Sequence, residues 1–118
     1  EKKSLKSGEL VIPVEIARTP EDRITGLSGR KRLDKDSGLL FIFDEAGLHG
    51  IWMKEMNFPL DIIWLNENLQ VVNIKRDALP ESYPTVFRPT TRSLYVLEVN
   101  AGFAQEKDIK IGEQFILD

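Results

Sequence analysis

Apolar residues fall along this chain in short bursts separated by turn residues. The clearest are residues 39–43 (LLFIF) and 94–99 (LYVLEV), continuous runs of strand-forming residues too short for a helix. Residues 10–17 (LVIPVEIA) read the same way, but Pro13 has no N–H to give to a ladder, which predicts an edge strand or two short strands. Residues 49–56 (HGIWMKEM) and 60–66 (LDIIWLN) flank Asn57-Phe58-Pro59 and predict a hairpin. Asn66-Glu67-Asn68 then turns the chain into an alternating strand over 70–76. A last strand is expected over 114–117, after Gly112.

Thr19-Pro20-Glu21-Asp22 is a helix start, with a capping threonine, a proline in the first position and an acid three residues after the cap. That helix carries Arg23, Ile24 and Leu27 and stops in the span from Gly26 to Gly29; a second helical turn fits 101–108. Residues 1–9 are polar and predict a flexible lead-in to one β-rich domain over 10–118. The stretch 77–93, holding Pro80, Pro84 and Pro89, has no pattern and is too long for an idle connection, so it is expected to be mobile or to form a lid. About seven short strands with one or two short helices predict a mainly β fold: a compact antiparallel sandwich or partly closed barrel.

Composition narrows the function classes. Hydrophobic residues at 42% and charged residues at 30% are ordinary for a globular domain and argue against disorder. Sixteen basic against nineteen acidic residues give a net charge of −3, where a nucleic-acid groove calls for a basic excess; no nucleic-acid partner is expected. The chain has no cysteine and one histidine, His49, which excludes disulfides, thiolate sites and multi-histidine metal centres, so neither a metal nor another cofactor is expected. No apolar run is long enough to span a bilayer. The opening Glu1-Lys2-Lys3-Ser4, without Met, is expected of a processed product.

The chemistry-bearing residues each admit two readings. Asp61 and Glu98 interrupt apolar strands, where a carboxylate is costly unless paired. Together they could serve as general acid and base of a hydrolase or lyase, or each could pair structurally, Glu98 with Arg23 or Arg30. In a hairpin looped at 57–60, Met56 faces Asp61, Lys54 faces Ile63 and Trp52 faces Leu65. Trp52, Lys54, Met56 and Asp61 would then share one side. An indole beside a cation and a thioether suits a flat ligand such as a sugar; equally, Trp52 and Met56 could be core, with Lys54 snorkelling outward. Arg23, Arg30, Arg32, Lys31 and Lys35 are offset by Asp22, Asp34 and Asp36, as on a solvated face. His49 beside Gly50 reads as a loop residue with one hydrogen bond, or as a pH-sensitive group. No phosphate loop and no G-x-S-x-G elbow occurs.

Four segments in order resemble a family of bacterial and archaeal proteins, domain of unknown function 192. They are Thr19-x-x-x-Arg23-x-x-Gly26-Leu27-x-x-Arg30; Gly38-Leu39-Leu40-Phe41-x-Phe43; Trp52-Met53-Lys54 with Pro59-Leu60-Asp61-Ile62; and Tyr95-Val96-Leu97-Glu98-Val99-Asn100-Ala101-Gly102. The likeness runs from Val11 to Leu117. It departs at Ser28, where Met usually follows Gly-Leu, and at Glu55, where Asn usually follows Trp-Met-Lys. The resemblance implies a compact, mostly β domain, frequently exported, and implies no activity. Extracytoplasmic location, after removal of a signal or by lipid anchoring, is therefore favoured over the cytoplasm.

The reading these observations favour is a non-enzymatic module for a small molecule, carbohydrate among the ligands considered. Its candidate pocket gathers Trp52, Lys54, Met56, Asp61, Glu98 and Asn100, while Thr19, Arg23, Gly26, Arg30 and Pro59 serve structure. The rivals are the hydrolase or lyase on Asp61 and Glu98, and a structural or protein-partner-binding domain. Oligomeric state is left open.

Overall fold

The computed structural model describes residues 2–118 and is mostly β, with nine strands and two short α-helices among the described residues. In chain order the strands are β1 (Lys2–Ser7), β2 (Leu10–Ala17), β3 (Gly38–Gly47), β4 (Ile51–Trp52), β5 (Leu60–Leu65), β6 (Val71–Ala78), β7 (Val86–Phe87), β8 (Ser93–Asn100) and β9 (Ile116–Leu117). The helices are α1 (Pro20–Thr25) and α2 (Phe103–Glu106). Seven strands form one sheet in the order β6-β5-β8-β3-β2-β1-β9, and β4 and β7 form a separate pair. The large sheet curls into a half-barrel, sandwich-like body, as the strand pattern predicted.

Apolar side chains cover both faces of this sheet, because the central strands alternate between two cores rather than between core and water. Every residue of β5 is buried: Ile63 and Leu65 join Leu40, Leu97, Phe103 and Phe115 on one face, and Leu60, Ile62 and Trp64 join Leu39, Phe41 and Val96 on the other. The same alternation sends the two strand carboxylates to opposite faces. Asp61 stands opposite Val99, and Glu98 opposite Ile62.

The strands β2 and β3 are parallel, from Val14 opposite Gly38 to Ala17 opposite Phe41, so a crossover must join them; α1 and the loop after it supply that crossover. The helix starts as its sequence demands. Thr19 Oγ1 accepts from the Asp22 N–H at 3.1 Å, Pro20 occupies the first turn, and Gly26 ends the helix at φ 48. Thr19→Ala should cost about 1 kcal/mol by removing this acceptor, read as a lower urea midpoint with unchanged slope; an unshifted midpoint would contradict it.

Five expectations need correction. The lead-in is a strand: β1 pairs with β2 along its whole length and with β9 on its other side. Its polarity misleads because Leu5 is its only fully buried side chain. Next, β2 is one continuous interior strand; Pro13 is tolerated because pairing with β3 begins only at Val14. Third, the hairpin of 49–56 with 60–66 does not form. Both edges of β5 are taken by β6 and β8, while β4 is two residues long and pairs with β7. Fourth, residues 77–93 are an ordered strap: β6 extends to Ala78, Pro80–Ser82 make a 3-10 turn, and β7 lies on β4. Finally, Glu98 has no arginine partner, as the site geometry makes plain.

Candidate functional site

A cleft of about 220 Å³ opens between α1 and β4 on the face that Glu98 occupies. Its lining includes Arg23, Gly26, Ser28, Phe41, Trp52 and Met56, with Glu98 at the floor. A second hollow, lined by Pro20, Phe43 and shared residues such as Arg23 and Ile24, adjoins it.

The walls are fixed by the residues read as structural. Arg23 reaches back from α1 to donate to the carbonyls of Arg18 and of Ile42 (3.0 Å), with Asp44 at 3.7 Å and the Phe43 ring 5.3 Å beneath its guanidinium. Arg30 binds Glu15 through both nitrogens, at 2.8 and 3.3 Å, which holds the Glu15 carboxyl below its ordinary range and raises Arg30. The turn after α1 is laced to the loop after β4 by Ser28 Oγ donating to the Lys54 carbonyl at 2.9 Å, Gly29 N–H to the Glu55 carbonyl at 2.9 Å, and Asn57 to the Arg30 carbonyl at 2.8 Å. Gly26 combines its positive φ with a tight approach, since a Cβ there would sit 3.1 Å from the Phe41 ring. Gly50 is needed because a Cβ would fall 2.5 Å from Val86 on β7. Glu55 takes φ 58, a conformation asparagine tolerates well and glutamate poorly.

Glu98 is the unusual group. The residue is 4% exposed; among the described residues its carboxyl has no hydrogen-bond or ion-pair partner, and its oxygens keep contact with solvent through the cleft. Both arginines named as its partners are engaged elsewhere. Burial alone pushes its pKa up to about 8, so the carboxyl is mostly protonated at neutral pH. At the rim, Trp52 is 45% exposed and lies against Tyr83, ring centres 5.0 Å apart, while Ile24 is 83% exposed.

The six candidate ligand-binding residues thus divide. Trp52, Met56 and Glu98 line the cleft together. Lys54 lies outside it, its ammonium 5.7 Å from the Trp52 ring centre. Asn100 donates to the Leu33 and Asp34 carbonyls at 3.0 and 3.4 Å, holding the loop before β3. Asp61, 1% exposed, lies on the other face, where its carboxylate accepts from the N–H groups of Asp77, Gly102 and Ala104. Among the described residues Lys54 and Asp61 do not pair, and the Asp61 and Glu98 carboxylates do not face each other. Pro59 holds the loop before β5, its carbonyl accepting from Ala101 N–H at 3.3 Å. His49 is a loop residue: its Nε2 is 2.8 Å from the Glu45 carbonyl, and its ring stacks on Phe43. Sequence reasoning passed over Phe41, Ser28 and Tyr83. For Phe41 the signal was parity, since it points with Leu39 and Glu98 once β3 pairs with β8.

Residues 3–117 match the family described as uncharacterised ACR, domain of unknown function 192, and the chain belongs to that family. Among solved structures it is similar to a protein of unknown function from Novosphingobium aromaticivorans, 30% identical, with a TM-score of 0.88 over 98% of this chain and 83% of that one. It is also similar to a candidate transcription regulator from Sinorhizobium meliloti, 28% identical, with a TM-score of 0.90 over 99% of this chain and 92% of that one. No curated protein matches it. No helix among the described residues is long and apolar enough to cross a membrane.

Proposed function

We propose that this domain binds a small molecule in the cleft between α1 and β4. One observation carries the reading: Glu98 is buried and partnerless at the floor of a hollow whose walls are cross-braced. A buried carboxyl without a partner costs stability and returns none. Such a group is explained when its partner is a ligand, and the half-exposed indole of Trp52 supplies an apolar surface at the entrance. The hydrolase reading loses its basis, because Asp61 and Glu98 face away from each other across the sheet. A purely structural reading accounts for Arg23, Arg30, Asp61 and Asn100, and leaves Glu98 unexplained.

The test is a thermal-shift screen of chemically diverse small molecules, with hits mapped by amide NMR. A compound held at about 100 times its dissociation constant should stabilise the fold by about 2.7 kcal/mol. Hits should move the amides of Gly26, Ser28 and Trp52, and Trp52→Ala should weaken them while leaving the fold intact. Hits that map to other surfaces, or a screen that never moves these amides, would overturn the proposal.

A further inference from the structure

Resting on the cleft as a ligand site, we infer that its ligand class is a compact amine: an ammonium group held by Glu98, with an apolar body against Phe41, Ile51, Met56 and Trp52. The inventory of polar groups decides the class. Of the ionisable side chains lining the cleft, Arg23 is engaged by two carbonyls and Asp44, which leaves Glu98 as the one acid without a partner. The Ser28 hydroxyl already donates to the Lys54 carbonyl, Thr25 adds a single further hydroxyl, and beyond these and the two ionisable groups the lining side chains are apolar or aromatic. A sugar brings many hydroxyls, and each one buried without a partner costs about 1–3 kcal/mol; this lining cannot meet them. A carboxylate ligand could be met by Glu98 only while that carboxyl keeps its proton, so its affinity would fall as pH rises towards 8, opposite in sign to an amine. An amine has one polar end and meets one acid.

The groups facing the Glu98 carboxyl can be named from each neighbouring element. They are Arg23 from α1, Ser28 from the turn after it, Leu39 and Phe41 from β3, Ile62 from β5, and Trp52 and Met56 from β4 and its following loop. Lys54 stands beyond the indole. No second carboxylate is among them, so the protonation change on binding belongs to Glu98. An ammonium ion entering the cleft forms its ion pair as the Glu98 carboxyl gives its proton to solvent; one proton leaves and charge balances. Below about pH 8, the carboxyl's own pKa, affinity should therefore rise about tenfold per pH unit, then level off until the amine itself loses its proton.

The experiment titrates the protein with benzylamine, benzyl alcohol, benzoate and glucose between pH 6 and 9, by calorimetry and amide NMR. Benzylamine should move the Gly26, Ser28 and Trp52 amides with the stated pH slope. Glu98→Gln should abolish the slope and weaken benzylamine about tenfold or more at pH 8, while any benzyl alcohol binding stays as it was. Cleft binding by the alcohol, benzoate or glucose that is tighter than benzylamine, or a pH slope that survives Glu98→Gln, would overturn the amine and leave the cleft standing as a site. Cleft amides silent to all four probes would overturn the amine as well, and only silence to the diverse screen would take the cleft with it.

Discussion

Glu98→Gln is expected to stabilise the unliganded domain by roughly 4 kcal/mol above pH 8 and to change little below pH 4.5. In the fold the carboxyl titrates at about 8, while its ordinary value is 4.5. An acid whose folded pKa is raised binds more protons in the native state than in the unfolded chain between those two values. Stability therefore falls as pH rises across this window and is flat on either side. Water reaching the carboxyl through the cleft limits the effect, so the figure is an upper bound. Glutamine keeps the shape and carries no charge, and the variant should lack this loss. Glu15 and Asp118 have lowered pKa values, held by Arg30 and Lys6. Their contribution is lost only as pH falls through their folded values, and it is the same in both proteins. Urea denaturation at about pH 4 and about pH 9 separates the cases. Parallel pH profiles for the two proteins would show that Glu98 is fully solvated or paired, contrary to its burial. This expectation reverses the one a Glu98–arginine pair would give, in which removing the acid is destabilising throughout the neutral range.

The strands that could be read from sequence are those whose signal is local. The runs at 39–43 and 94–99 are apolar enough to be strands in any context, and they became the antiparallel pair β3 and β8 at the middle of the sheet. The Thr19 cap is a contact between residues three apart, and so is written in the sequence around it. What failed depends on long-range pairing. Residues 60–66 read as half of a hairpin because the nearest strand-like segment in sequence was the natural partner, yet β8, about thirty residues on or more, lies beside β5. The strand over 49–56 also ends early: only Ile51 and Trp52 pair, and Met53 to Met56 form a turn closed by the Met56 N–H on the Met53 carbonyl, with Glu55 at positive φ. Half of the candidate site survived. Trp52 and Met56 stay near each other through their own loop, and Glu98 joins them through the pairing of β8 with β3 and β5, which no local pattern shows. Asp61 was placed with them only through a register that does not exist. The absence of a partner for Glu98 had no sequence signal, since Arg23 and Arg30 are near enough in the chain and go instead to backbone carbonyls and Glu15.

Asp61→Ala should destabilise the domain by roughly 2–4 kcal/mol, the cost of leaving one buried and two part-buried backbone donors without an acceptor. The carboxylate is 1% exposed and serves three N–H groups: Asp77 at 2.9 Å through Oδ1, and Gly102 at 3.1 Å and Ala104 at 2.9 Å through Oδ2. The last two belong to the start of α2, a four-residue helix whose own cap, Gly102, offers no side chain. Asp61 supplies from β5 the acceptor that a local Ser, Thr or Asp would give. Its third bond holds Asp77, which sits at φ 53 where β6 bends. Loss of the carboxylate therefore loosens the end of β6 and the α2 turn together. Asp61→Asn keeps one acceptor oxygen and should cost less, about 1–3 kcal/mol, because its NH2 must face one of the former donors. Hydrogen exchange gives the local readout: the amides of Asp77, Gly102 and Ala104 should lose protection in both variants, more in Asp61→Ala. An Asp61→Ala protein within about 1 kcal/mol of the parent, with those amides still protected, would remove Asp61 from this bracing role. It would also reopen the reading in which that carboxylate serves chemistry rather than the fold.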